Sequence, residues 1–262
     1  MMKRLGLGLV AGVVSGAFAA PASADTITAI DLSAYYGGGG YSGDWSGELG
    51  GGSIAAAPIN GNQNTGISFA DWNGQYAAIQ NPSSGYANTL TINNFSPITL
   101  TAGASVQSLW NEFYGLTPNS ADNNAAVLIT FTNSSGANAT YGLQSGQTIR
   151  DYNNASFYDT LVGSNTTSAL GAVTAENWWS NTSGQRLDEQ SFLLPASWAG
   201  TSLTGININV VGSGDYNNNT DGAAVLSAVN VADPTASVPE PASLALLVAG
   251  VVGLGAARRR RG

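Results

Sequence analysis

Residues 203–211 read LTGININVV, and residues 126–132 read AVLITFT. In the first stretch the apolar positions are Leu203, Ile206, Ile208 and Val210, and from Ile206 onward they alternate with asparagine. A period of two means a strand with one face buried and the other wet. The second stretch is rich in β-branched and aromatic residues, which fit a pleated surface. Working outward, strand-like segments recur at 89–95 (TLTINNF), 106–114 (VQSLWNEFY), 187–194 (LDEQSFLL) and 223–231 (AAVLSAVNV). Residues 140–143 and 147–152 read as two strands paired around the turn Gln144-Ser145-Gly146. Residues 195–200 read as one short turn of helix, and the Gly-rich stretch 37–52 as a loop or a weakly paired start. No segment sustains the 3.6 period of a long helix, and no fixed repeat is present. Many strands separated by turn residues predict an all-β fold, an antiparallel β-sandwich or jelly roll.

The charges are placed unevenly. Of eight basic residues in the 262-residue chain, two open it (Lys3, Arg4) and four close it (Arg258, Arg259, Arg260, Arg261). Between residues 25 and 237 stand only Arg150 and Arg186 against fifteen acids, a net −13. Nucleic-acid binding needs clustered Lys and Arg to displace counterions, so no nucleic-acid partner is expected. An acidic body suits a soluble extracellular domain. There is no Cys and no His. Disulfides, thiolate metal sites, Cys nucleophiles and Ser-His-Asp triads are excluded.

The two ends read as export machinery. Residues 1–24 carry a positive start, an apolar Gly-rich core and the small-residue site Ala22-Ser23-Ala24. This is the pattern of a signal peptide handled by the Sec machinery and cut by signal peptidase, leaving Asp25 first. At the other end Val238-Pro239-Glu240-Pro241 precedes an apolar run, 242–257, and then Arg258 to Arg261. As a helix that run reaches about 24 Å, slightly short of a hydrocarbon core of about 30 Å. The arginines stay cytoplasmic by the positive-inside rule, so the physics predicts a single transmembrane helix with the body outside. The expected organisation is a signal peptide at 1–24, an ectodomain at 25–231, a linker at 232–238 and the tail at 238–262.

The order Val-Pro-Glu-Pro, short apolar helix, arginine cluster resembles the PEP-CTERM sorting signal of Gram-negative bacteria. The resemblance covers residues 238–262. It implies recognition by exosortase, a membrane protease, with removal or transfer of the protein near the Pro-Glu-Pro motif. It also implies a transient inner-membrane anchor, then delivery to the cell surface or the exopolysaccharide matrix. The stretch 106–231 is similar to β-sandwich ectodomains that precede such tails, on residues 147–154 (QTIRDYNN), 185–194 (QRLDEQSFLL) and 195–202 (PASWAGTS). Those ectodomains resemble galactose-binding-like jelly rolls, a likeness that implies no activity.

Four constellations are candidates for chemistry. Asp215, Asn217, Asn219 and Asp221 place oxygens at alternate positions, as the start of a calcium loop does. Neither Asp215 nor Asn217 as first ligand puts both Gly at position 6 and Glu at position 12, so an EF-hand fails. A hairpin loop of left-handed-tolerant residues and a non-EF calcium site both remain open. Arg150-Asp151 and Arg186-Leu187-Asp188-Glu189 read as Arg-carboxylate pairs fixing two strands, with a ligand or catalytic patch as the alternative. Among six tryptophans, adjacent Trp178 and Trp179 suggest a carbohydrate-stacking platform. Neighbours on a strand face opposite ways, so one is expected in the core and the other exposed. Trp110 is expected in the core. Finally, Glu112, Glu176, Asp188 and Glu189 are acids from which a glycoside-hydrolysis pair would be drawn, though their spacing selects none.

The expectation is a non-catalytic structural or adhesive protein of the exopolysaccharide layer. The alternatives are a carbohydrate-binding module and, third, a carboxylate-only glycosidase.

Overall fold

Along residues 202–210 and 127–133 buried and wetter positions alternate as the sequence predicts: Ile206, Ile208 and Val210 are buried, and so are Val127, Ile129 and Phe131. These strands belong to a computed structural model that describes residues 25–36, 45, 67–69, 72–84, 87–153, 160–164, 169–180, 184–214 and 222–234. The signal peptide, the stretch 37–44, the Asp215–Asp221 loop and the tail lie outside the described residues.

In chain order the strands are β1 (Thr26–Ala29), β2 (Ala77–Gln80), β3 (Thr89–Ile92), β4 (Ile98–Thr99), β5 (Ser105–Phe113), β6 (Val127–Asn133), β7 (Asn138–Leu143), β8 (Val173–Ser180), β9 (Arg186–Leu193), β10 (Ser202–Val210) and β11 (Ala223–Asp233). One sheet runs β1-β11-β5-β9-β8, with β2 also on β11. The other runs β3-β10-β6-β7, with β4 also on β10. All named pairings are antiparallel. Val106, Trp110, Phe192 and Leu226 of the first sheet share one core with Ile129, Phe131, Ile206 and Ile208 of the second. The fold is an all-β antiparallel sandwich. Trp110 is in that core, as expected.

The first sheet departs from simple alternation, because both of its faces are covered. The inner face meets the second sheet. The outer face, carrying Leu109, Phe113, Leu187, Ala223, Val225 and Ala228, packs under Trp45, Phe69, Trp72 and Tyr76. Two β-bulges serve this arrangement. Ser227 is an extra residue between Leu226, opposite Trp110, and Ala228, opposite Leu109. It shifts the inward parity from Ala224 and Leu226 to Val229 and Val231, all in the inter-sheet core. Its hydroxyl accepts from Trp45 Nε1 at 2.8 Å, and its carbonyl accepts from Tyr36 Oη at 3.2 Å.

Some element expectations change. β8 has no counterpart among the predicted strands. β7 pairs β6 instead of residues 147–152. Gln144 begins a turn whose carbonyl accepts from the N–H groups of Gln147, Thr148 and Ile149. β11 continues to Asp233, two residues into the expected linker, because β1 pairs it there with Thr26 opposite Asp233. Residues 196–198 form the short helical turn expected after Pro195.

Candidate functional site

The ladder between β5 and β9 is registered as far as Trp110 opposite Asp188. Beyond it the segment Arg150–Asn153 fills the gap between the two strands. Glu112 N–H donates to the Arg150 carbonyl (2.9 Å), and Tyr152 N–H donates to the Glu112 carbonyl (3.2 Å). On the other side Arg186 N–H donates to the Tyr152 carbonyl (2.8 Å). This wedge gathers the charged residues singled out by sequence, and their partners are crossed. Arg150 does not pair with its neighbour Asp151. It grips Asp188 bidentately, Nε and Nη2 each 2.7 Å from a carboxylate oxygen. Arg186 Nε donates to the Asp151 carbonyl at 3.0 Å. A buried, bidentate Arg-carboxylate pair between two segments is a structural clamp.

The Asp151 carboxylate accepts from Asn153 N–H at 2.8 Å and from the backbone N–H groups of Tyr114 and Gly115. Tyr114 has φ +59°, a left-handed conformation that presents consecutive amides to an anion. Burial nonetheless pushes the Asp151 carboxyl up to about 6, opposed by the Asn153 bond and the Arg186 charge. Burial likewise raises Asp188, opposed first by Arg150. Glu112 is 0 % exposed. Desolvation pushes it up to about 8, against the Ser145 hydroxyl 2.5 Å from Oε1 and with the Asp151 charge adding to the rise. At neutral pH Glu112 is therefore a protonated acid sealed in protein.

The other two nominated acids come together. Glu176 and Glu189 are opposite each other across β8 and β9, with Thr174 and Ser191 two positions along the ladder, and all four line a pocket with Ile67. Glu176 is exposed and Glu189 buried.

The tryptophan expectation needs correction. Trp178 is 0 % exposed and cannot be a stacking platform. It is the extra residue of the second bulge, between Asn177 opposite Asp188 and Trp179 opposite Leu187. Phe69 and Trp72 meet it edge-on at 5.7 and 5.8 Å, and its Nε1 donates to the Ile67 carbonyl at 3.1 Å. Trp179 is half-buried against the same cluster, since the bulge defeats the opposite-face rule. Of the remaining candidates, Asp25 is exposed immediately before β1. Ala22, Ala24, Asp215, Asn217, Asn219, Asp221, Val238 to Pro241 and the four arginines lie outside the described residues.

One cleft has no sequence motif behind it. β2 pairs β11 over Ala223–Leu226 and β1 pairs it over Asn230–Asp233, so this edge of β11 is split at the Ser227 bulge. Over the split the chain leaves β1 through Asp31 into the turn Ser33–Tyr35. The result is an opening of about 350 Å³, with Tyr36 and Trp72 among its walls, Asp31 and Ser33 at its rim and Asn230 beneath. Its parts are some 200 residues apart in the chain, and only their meeting makes them legible.

Residues 237–261 match the family described as the PEP-CTERM protein-sorting motif. The tail is a PEP-CTERM sorting signal. It indicates an exported protein that transits the membrane in anchored form and has exosortase as its processing partner. The PEP-CTERM match speaks for these residues alone. No curated protein and no solved structure matches the chain. Among the described residues no helix is long and apolar enough to cross a membrane, and the 242–257 run lies outside them.

Proposed function

We propose that this is a non-catalytic protein of a Gram-negative cell surface or exopolysaccharide matrix, released there by exosortase and contributing by packing and adhesion. The PEP-CTERM tail is the observation that carries this reading. The burial of Glu112 and the clamp of Asp188 by Arg150 support it, because both acids are committed to holding the wedge. We read the sandwich as a jelly roll. Its eight strands β2, β3, β5, β6, β7, β9, β10 and β11, counted in that order, lie as 1-8-3-6 over 2-7-4-5. Two successive Greek keys produce that arrangement. β8 and β1 are additions at the two edges of the first sheet.

Deleting the gene tests the role: changed aggregation or biofilm texture is expected, and an unchanged surface phenotype counts against it. The glycosidase alternative stands on Glu176 and Glu189. Reducing-sugar release by the wild type, abolished in Glu176→Gln, overturns the non-catalytic reading. A sugar-binding role needs a surface other than Trp178.

A further inference from the structure

We propose that the cleft over the split edge of β11 binds a neutral hexose unit of a polysaccharide. The proposal rests on the matrix reading above and gives it a ligand class and a place.

The volume falls within the range of small-molecule sites, ~300–1,000 Å³. The chemistry is that of hydroxyl recognition beside an apolar ring. Tyr36 is half-buried, its hydroxyl tied to the Ser227 carbonyl at 3.2 Å, which fixes the ring as a wall. A held aromatic ring is what the C–H face of a sugar packs on. Asp31 is exposed, and the Ser33 amide (2.8 Å) and hydroxyl hold its carboxyl below the usual range. It stays ionised, an acceptor for sugar hydroxyls with an oxygen beyond the one used by Ser33 N–H. Asn230 is 2 % exposed and donates through Nδ2 to the Ser68 carbonyl at 2.8 Å. This orients its side chain beneath the cleft, with the carbonyl oxygen on the opposite branch of the amide.

The sign of charge narrows the class. Among the described residues the lining includes no Lys, Arg or His, and its one carboxylate is Asp31. A sulfate, phosphate or uronate would meet a carboxylate with no counter-charge, on a body of net −13. Neutral hexoses carry no such cost.

The test is calorimetric titration of the purified full-length protein with methyl glucoside, galactoside and mannoside and their neutral trisaccharides, beside glucuronate and galacturonate. Asp31→Ala and Tyr36→Ala are compared with Asn138→Ala, an exposed position on β7 of the other sheet. Asp31 is exposed, so its variant keeps the fold even where Tyr36→Ala unfolds. At least one neutral probe is expected to bind saturably. Asp31→Ala should weaken it about tenfold or more, as loss of a charge-assisted hydrogen bond does, and Asn138→Ala should not change it. Three results overturn the proposal: no neutral probe binds the wild type, uronates bind more tightly, or Asp31→Ala binds like the wild type. In each case the matrix reading stands as long as the deletion strain shows its surface phenotype, so the two failures are told apart.

Discussion

Glu112 shows how one residue's environment sets its chemistry. Its carboxyl is raised from an ordinary 4.5 to about 8, because burial removes the water that would solvate the anion. A carboxyl raised on folding stabilises the native state fully below its unfolded pKa, and that contribution is lost as pH rises through the folded value. Asp151, raised to about 6, acts with the same sign at lower pH. Stability should therefore fall from pH 5 toward pH 8.5, by at most about 1.4 kcal/mol per pH unit for Glu112. Glu112→Gln imitates the protonated acid. Urea titrations at several pH values should show little change near pH 4.5 and a variant increasingly more stable than the wild type as pH rises toward 8.5; equal slopes for the two proteins would refute the assignment. Trp178→Ala removes a buried ring from the outer cluster, with an expected loss of about 3–5 kcal/mol in the same assay. Gly222 is set by close approach: a Cβ there would lie 2.4 Å from the Gly214 carbonyl oxygen and 2.5 Å from that of Gly115. Gly222→Ala should cost about 1–3 kcal/mol or more.

At the scale of elements, the wedge Arg150–Asn153 is the feature on which β5 and β9 both depend. Arg150→Ala strands the buried Asp188 carboxylate, with an expected cost of about 3–5 kcal/mol. Asp188→Asn added to it should recover part of that loss, since the uncompensated charge is gone. An additive double-mutant cycle would mean that the two side chains are not coupled. The edges of these elements show what alternation reveals and what it hides. In β6 and β10 one face is wet, so polar and apolar residues alternate and the strands are plain in the sequence. In β11 both faces are covered and the pattern becomes a nearly continuous apolar run, whereas β5 is buried almost throughout although its sequence carries Gln107, Ser108, Asn111 and Glu112. β8 escaped prediction because Glu176 and Asn177 interrupt it and Trp178 breaks its register. Of the acids near the two arginines, Asp188 is held by an arginine side chain, while the Asp151 carboxylate is held by backbone N–H groups. Which acid pairs with which arginine depended on the wedge, a non-local arrangement that spacing along the chain does not encode.

At the scale of the whole molecule, Thr26 lies opposite Asp233, so the chain enters and leaves the folded body at one edge of one sheet. The strand that begins one residue after the expected new N-terminus pairs with the strand that precedes the sorting tail. Intact-mass analysis of the protein from the cell surface should end near Pro239-Glu240-Pro241. A strain lacking exosortase should retain 242–262 in its membrane. A tail that persists in both strains would make this a permanently anchored periplasmic domain.

The sequence by itself determined the sorting signal and the fold class. Sorting signals are read as linear strings of charge and apolar length, and a sandwich strand with one wet face writes its period into the chain. The tertiary structure alone decided the rest: the pairing of Arg150 with Asp188, the burial of Trp178, the convergence of Glu176 on Glu189 and the cleft over β11. Each depends on residues far apart in the chain meeting at a bulge or across a ladder, where a one-residue shift reverses the face a side chain occupies.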